Sequence, residues 1–167
     1  MITHLASLRV DAPLAFWLVL LAGLYFVVMA VWLAVIDIKH QLLPNRIVFP
    51  SAAIAGVLLL LASLVAGDIG AALRTVLGGV VLWAVYVVLR LVYPAGMGYG
   101  DVKLAFVLGL YLGYISWSAL LWGTFLAFIL GAVWGIILLI SRKGTGKTQI
   151  PFGPFMLAGA LVALAGG

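Results

Sequence analysis

The chain has 167 residues, of which 67% are hydrophobic and only 8% charged, and its mean hydropathy is +1.36. Soluble domains carry about a quarter charged residues, so this composition excludes a water-soluble globule and a disordered chain. Because the sequence contains no cysteine, it also excludes disulfides, cysteine-bound zinc and a thiol nucleophile. The sequence predicts one membrane-embedded domain over residues 1–167, and we interpret its excess of cations as a topology signal, not as nucleic-acid binding.

The predicted helices follow from runs without charged residues. The run of 38 residues is too long for one crossing at about 1.5 Å per residue, so we divide it near residues 113–118. The last span is expected to begin after Pro154. The result is an all-α polytopic integral membrane protein with about six transmembrane helices, built from these charge-free runs: Pro13–Ile36, Ile47–Gly67, Thr75–Leu89, Leu104–Ser141 and Ile150–Gly167.

The cations fix the predicted orientation in the membrane. Two of them, Arg9 and Arg74, lie on one side, whereas seven lie in the loops that follow the odd-numbered spans. Under the positive-inside rule, these odd loops are cytoplasmic and both termini face outward. The seven cations are Lys39, Arg46, Arg90, Lys103, Arg142, Lys143 and Lys147.

Four aspartates, and no glutamate, make up the acidic residues of the chain. Asp11 and Asp68 fall in a tail and a short loop, where we expect helix capping or solvation. Asp37 and Asp101 fall at membrane boundaries, where an acid is costly and therefore a functional candidate. Two structural alternatives stay open, since Asp101 could be a helix N-cap and Asp37 could contact a neighbouring cation or His40.

The sequence around these two acids favours a shaped site. Pro44 follows Asp37 by seven positions, and Gly98 and Gly100 directly precede Asp101. We predict an extended or left-handed turn over residues 97–100, and irregular backbone at membrane depth is tolerated where it is buried or lines a wet cavity. Two carboxylates in such a cavity suggest an aspartyl protease, in which one acid is ionised, the other is protonated, and water lies between them.

These residues resemble a known family. Asp37, Pro44 and Asn45, together with the segment Gly98-Tyr-Gly-Asp-Val-Lys-Leu104, are similar to the motifs of the type IV prepilin peptidases, which belong to the GxGD class of intramembrane aspartyl peptidases. The segment Ile150-Pro-Phe-Gly-Pro154 resembles the stretch before the last span of those enzymes. The resemblance covers most of the chain, from about residue 36 to the C-terminus.

The resemblance implies an endopeptidase of the bacterial inner membrane. It would remove the short basic leader of type IV prepilins or pseudopilins at the cytoplasmic face, in contact with lipid and without a metal or cofactor. Asp37 and Asp101 would be catalytic. The residues that would form the active-site loops or bind substrate are Gly98, Gly100, Lys103, Pro44, Asn45, Pro151, Gly153 and Pro154.

Long members of the family carry paired Cys-x-x-Cys motifs and also N-methylate their product. This chain has no cysteine, so methyltransferase activity is not expected, and the chain resembles a short, peptidase-only member or one lacking the front part. A transporter or scaffold subunit that uses Asp37 and Asp101 as an ion or proton pair remains the rival outside the enzymes. Signal-peptide-peptidase-like proteases carry a Tyr-Asp pair where this chain has Ile36-Asp37.

Two further patterns have structural interpretations. Segment 141–148 ends like a P-loop but lacks its first glycine and a preceding strand, so we reject nucleotide binding. The spacings Gly109-xxx-Gly113 and Gly131-xxx-Gly135 predict close helix packing.

Overall fold

A computed structural model of the protein describes residues 8–141 and 151–166. Within these ranges the structure is helical and contains no strand, which confirms the predicted all-α class. The main helices are α1 (Pro13–His40), α2 (Asn45–Val65), α3 (Ile69–Val92), α4 (Tyr99–Ile115), α5 (Trp117–Ile140) and α6 (Gly153–Gly166). Four of them, α1, α2, α3 and α5, are each long and apolar enough to cross a membrane, and α4 and α6 are shorter.

Side-chain caps explain where two of the helices begin. The side chain of Asp68 accepts a hydrogen bond from the Ala71 backbone N–H at 2.8 Å and starts α3, six residues before the predicted span. This confirms the capping role expected for Asp68. Ser116 caps α5 in the same way, accepting from the Ala119 N–H at 3.0 Å, and breaks the long apolar run where the sequence predicted.

Two boundaries that matter for the site differ from the predictions. Helix α1 continues past Ile36 to His40, so Asp37 lies in its last turn. Helix α4 begins at Tyr99, not at Leu104, so Asp101 lies in its first turn. Both helices propagate beyond the apolar run because hydrogen bonding, and not hydropathy, decides where a helix ends.

Helix α4 is the central element of the bundle, since 12 of its 17 residues are buried. It packs closely on α3, where a Cβ built on Gly78 would lie 2.6 Å from the Gly109 carbonyl oxygen and 2.9 Å from the Gly113 Cα. The prediction of close packing at Gly109 and Gly113 is therefore confirmed. At Gly131 the close neighbour is a side chain and not a helix backbone, because a Cβ built there would lie 2.9 Å from the Phe152 ring.

Polar side chains tie α1 to its neighbours within the apolar core. The Tyr111 hydroxyl of α4 donates to the Ala22 carbonyl of α1 at 3.0 Å, and the hydroxyls of Tyr25 and Ser51 join α1 to α2 at 2.8 Å. These contacts fix α1 against α2 and α4, and so they set the relative positions of the helix ends that carry the two candidate acids.

Candidate active site

A cavity of about 430 Å³ opens where the end of α1, the α1–α2 loop and the start of α4 meet. It contains both candidate acids and the predicted loop residues of the first two motifs, whereas the third motif, at residues 151–154, does not line it. The lining residues are Asp37, Gln41, Leu42, Leu43, Pro44, Asn45, Gly98, Tyr99, Gly100, Asp101 and Lys103.

The two acids are buried together without a compensating cation in contact. Asp37 is 5% exposed and Asp101 7%, and their charges act on each other. Within residues 8–141 and 151–166 the one ion pair joins Arg74 to Asp68, at 3.8 Å. Asp37 therefore does not form the ion pair with a neighbouring cation that one structural interpretation proposed. A buried pair of like charges is favourable only when a proton or a ligand relieves the repulsion.

Each carboxyl group is held by one backbone N–H. The Gly153 N–H donates to Oδ2 of Asp37 at 3.1 Å, and the Gly98 N–H donates to Oδ2 of Asp101 at 3.0 Å. The interpretation of Asp101 as the N-cap of α4 is therefore wrong. Gly98 is the N-cap, and the Asp101 side chain reaches back to it from the third helical position. The arrangement fixes one oxygen of each acid by a backbone donor.

The glycines around the acids are required by close approach. Gly98 is extended, at φ −73° and ψ 153°, so the left-handed alternative for this turn is wrong. A Cβ on Gly100 would lie 2.8 Å from the Leu43 Cβ, and a Cβ on Gly153 would lie 2.6 Å from Oδ2 of Asp37. Any side chain at these two positions would displace a wall of the cavity or an acid.

Lys103 joins two walls of the cavity. Its ammonium donates to Oδ1 of Asn45 at 2.6 Å and lies 5.6 Å from the centroid of the Phe49 ring. Both partners belong to α2, so Lys103 connects the first turn of α2 to α4 beside Asp101. The direct hydrogen-bond partner of Lys103 is therefore Asn45.

The segment 151–154 reaches the site at Asp37, through the Gly153 N–H. Phe152 packs in an aromatic cluster, with ring centroids 5.2 Å from Phe128 and 6.4 Å from Tyr86. This packing sets the position of Gly153 and its N–H. Pro151 comes two positions before that glycine, and Pro154 follows it directly. Several residues of the sequence analysis lie outside the described residues: His4, Ile150, the cations at 142, 143 and 147, and the P-loop-like residues 142–148.

Leu43 and Arg90 shape the surroundings of the two acids, and the sequence analysis assigned neither of them to the site. Leu43 is buried in the α1–α2 loop, against Gly100 and near Gly153. Arg90, which the sequence analysis only counted among the cytoplasmic cations, turns toward the α3–α4 loop and donates to the Met97 carbonyl. The signal for Arg90 was its position eight residues before Gly98, within reach of a turn that folds back.

Comparisons with known proteins agree with these motifs. Residues 24–136 match the family model described as the type IV leader peptidase family. A protein of Stutzerimonas stutzeri named "Prepilin leader peptidase/N-methyltransferase" is 38% identical over 136 residues, covering 81% of this chain and 46% of the relative. Proteins of the same name from Aeromonas hydrophila and Bacillus subtilis are 35% and 31% identical, covering 100% and 86% of this chain and 57% and 55% of the relatives.

The chain therefore spans about half the length of the curated relatives it matches. No solved structure matches it.

Proposed function

Because this chain belongs to the type IV leader peptidase family, we propose that it is an aspartyl endopeptidase that removes the short basic leader of type IV prepilins or pseudopilins. The observation that carries the proposal is the burial of two carboxyl groups, from Asp37 and Asp101, in one cavity that also contains the motif glycines. The catalytic pair, the substrate and the cytoplasmic site are all part of this proposal.

The chemistry follows from two acids that share one proton. The ionised carboxylate takes a proton from a water molecule, whose oxygen attacks the scissile carbonyl carbon, while the protonated carboxyl donates to the carbonyl oxygen. Collapse of the tetrahedral intermediate breaks the C–N bond, and a proton passes to the leaving amine. The backbone donors from Gly98 and Gly153 hold one oxygen of each acid and leave the other for this exchange.

The location of the cavity suits a substrate that enters from the membrane surface. Asp37 lies in the last turn of α1 and Asp101 in the first turn of α4, so both are at helix ends next to loops. The leader of a prepilin would lie along these loops, and its apolar helix would lie among the lipids. On the cation count this side is the cytoplasmic face of the bacterial inner membrane.

Asparagine substitutions test the proposal. Asp37→Asn and Asp101→Asn are each expected to abolish cleavage of a prepilin by the purified chain in proteoliposomes, because neither amide can carry the shared proton. Thermal unfolding should stay near the wild-type temperature, since asparagine keeps the side-chain shape and its oxygen can accept the same backbone hydrogen bond. Near-native processing by either variant would contradict the two-aspartate mechanism.

Asp68→Asn and Asp68→Ala provide the matched controls. Asp68 is an acid that caps α3 and does not line the cavity, so both controls should cleave normally. The alanine variant should be less stable by about 1 kcal/mol through loss of the cap. Mass spectrometry of the product separately tests the expectation that the new terminus carries no methyl group.

The same variants distinguish the proposed peptidase from the rival function, a transporter. An ion or proton pair in a transporter predicts that wild-type protein leaves prepilin intact and that Asp37→Asn and Asp101→Asn instead abolish ion flux into the vesicles.

A further inference from the structure

Arg90 makes two contacts with the segment that precedes Asp101. Its guanidinium donates to the carbonyl oxygen of Met97 and lies over the ring of Tyr99, with the Cζ atom 3.5 Å from the ring centroid. Its charge also acts on Asp101. Arg90 belongs to the last turn of α3 and is not part of the cavity lining, so any effect on the reaction has to pass through these contacts.

The Met97 carbonyl and the Gly98 N–H belong to one peptide group. That peptide accepts a hydrogen bond from Arg90 through its oxygen and donates one to Oδ2 of Asp101 through its nitrogen, at 3.0 Å. In a trans peptide the C=O and N–H point in opposite directions, so the group connects a cation on one side to a carboxyl on the other. Hydrogen bonds in such a chain polarise and strengthen one another, most of all where an end is charged.

We propose that Arg90 is a positioning residue of the peptidase, holding Asp101 through the Met97–Gly98 peptide and the stacked Tyr99 ring. This inference rests on the proposed function for its kinetic consequence but not for its structural one. Arg90 fixes the donor that orients one oxygen of Asp101, so that the other oxygen keeps the geometry needed for proton exchange. Misplacing a catalytic group by about 1 Å can cost roughly a hundredfold in rate, so a loosened donor has a measurable effect.

A plain topology role for Arg90 does not account for these contacts. A cation that only anchors α3 at the headgroups extends toward water and phosphate, and any exposed lysine or arginine would replace it. A planar guanidinium that stacks on an aromatic ring and donates to a carbonyl is a fixed arrangement that lysine reproduces only in part. The two roles therefore predict different responses to substitution.

The experiment measures prepilin cleavage and the Gly98 amide resonance in one set of variants of the 167-residue chain. Arg90→Met should lower kcat about tenfold or more with KM within about twofold, because Arg90 does not line the cavity. Arg90→Lys, which keeps a charged donor but not the planar group over the Tyr99 ring, should recover only part of the loss. In glycine-labelled protein in detergent, the Gly98 amide proton should move upfield in Arg90→Met by more than the Gly109 amide does, and should move less in Arg90→Lys.

Arg74→Met is the matched control, since Arg74 lies at the other end of the same helix and pairs with Asp68 away from the cavity. It should retain wild-type kcat and an unshifted Gly98 resonance. If Arg90→Met does not fold, Arg90→Gln replaces it under the same criteria, with kcat expected below that of Arg90→Lys.

Two results would overturn the inference: an unshifted Gly98 resonance with wild-type kcat, or equal losses in the lysine and the neutral variant. A wild-type chain that cleaves no prepilin contradicts the proposed function alone, because the resonance experiment still tests the contact.

Discussion

At the scale of single residues, both acids depend on glycine N–H groups that come from different parts of the chain. Gly98 lies three positions from Asp101, whereas Gly153 lies 116 positions from Asp37. A glycine suits each donor because nothing separates its backbone from the carboxyl group. The absence of a side chain at these positions is thus part of the geometry of the site.

Gly153→Ala tests this dependence on the Asp37 side. The new Cβ would lie 2.6 Å from Oδ2 of Asp37, so the acid or the 151–154 segment has to move. We expect cleavage to fall about tenfold or more, with helix content unchanged, since a small misplacement of a catalytic group is costly. The measurement is initial rate against a prepilin, together with circular dichroism.

Gly166→Ala is the control for that variant, because it adds the same methyl group to the same helix with nothing within 4 Å. It should cleave at the wild-type rate. Equal activity in the Gly153 and Gly166 variants would refute the argument that the Gly153 N–H positions Asp37.

At the scale of helices, the close packing of α3 on α4 is the contact that aligns Asp101. Backbone meets backbone where Gly78 faces Gly109 and Gly113, and these two helices also carry Arg90 and Asp101 near the cavity. Such packing leaves no flexible side chain that could yield to an added atom.

Gly78→Ala should therefore destabilise the fold. Its Cβ would meet the Gly109 carbonyl oxygen at 2.6 Å, and overpacking of this kind costs about 1–3 kcal/mol. The expected result is a lower thermal unfolding temperature in detergent. Gly56→Ala in α2 is the matched control: its nearest neighbour is a Leu110 methyl at 4.0 Å, so the change should be neutral or stabilising. Equal unfolding temperatures in the two variants would contradict the tight α3–α4 contact.

The sequence predicted the helices better than it predicted their ends. Charge-free runs identify the apolar stretches because burial in hydrocarbon excludes charge, and the break at Ser116 was found from its polar, small residues. The starts of α3 and α4 were missed because Arg74 and Lys103 lie inside helices, where backbone hydrogen bonding continues past the apolar segment. Capping residues such as Asp68 indicate where a helix begins, whereas hydropathy does not.

The candidate site was predicted where it depends on side-chain chemistry. Asp37 and Asp101 are unusual by residue type and position, and the cavity brings them together with Pro44 and Asn45 as the motifs indicated. Arg90 was missed because it acts through a backbone carbonyl, which no residue type marks in a sequence. Leu43 was missed for a related reason, since an apolar residue in a loop attracts attention only after its contact with Gly100 is known.

At the scale of the whole molecule, the orientation in the membrane is a prediction that single cysteines can test. The chain contains no native cysteine, so His40→Cys, Tyr93→Cys and Ile69→Cys each introduce one thiol at an exposed position. In intact cells an impermeant thiol reagent should label the Ile69 variant only, because the ends of α1 and α3 are expected in the cytoplasm. Labelling at position 40 or 93 from outside would reverse the orientation.

The hydrogen bond from Gly153 to Asp37 joins two residues that the ribosome synthesises at different times. A ribosome adds about 5–20 residues per second, so the donor is synthesised roughly 6 to 23 seconds after the acid it holds. Until α6 has been made and has packed, Asp37 lacks the backbone donor that holds one of its oxygens. On the proposed function, both acids are therefore synthesised well before the active site is complete.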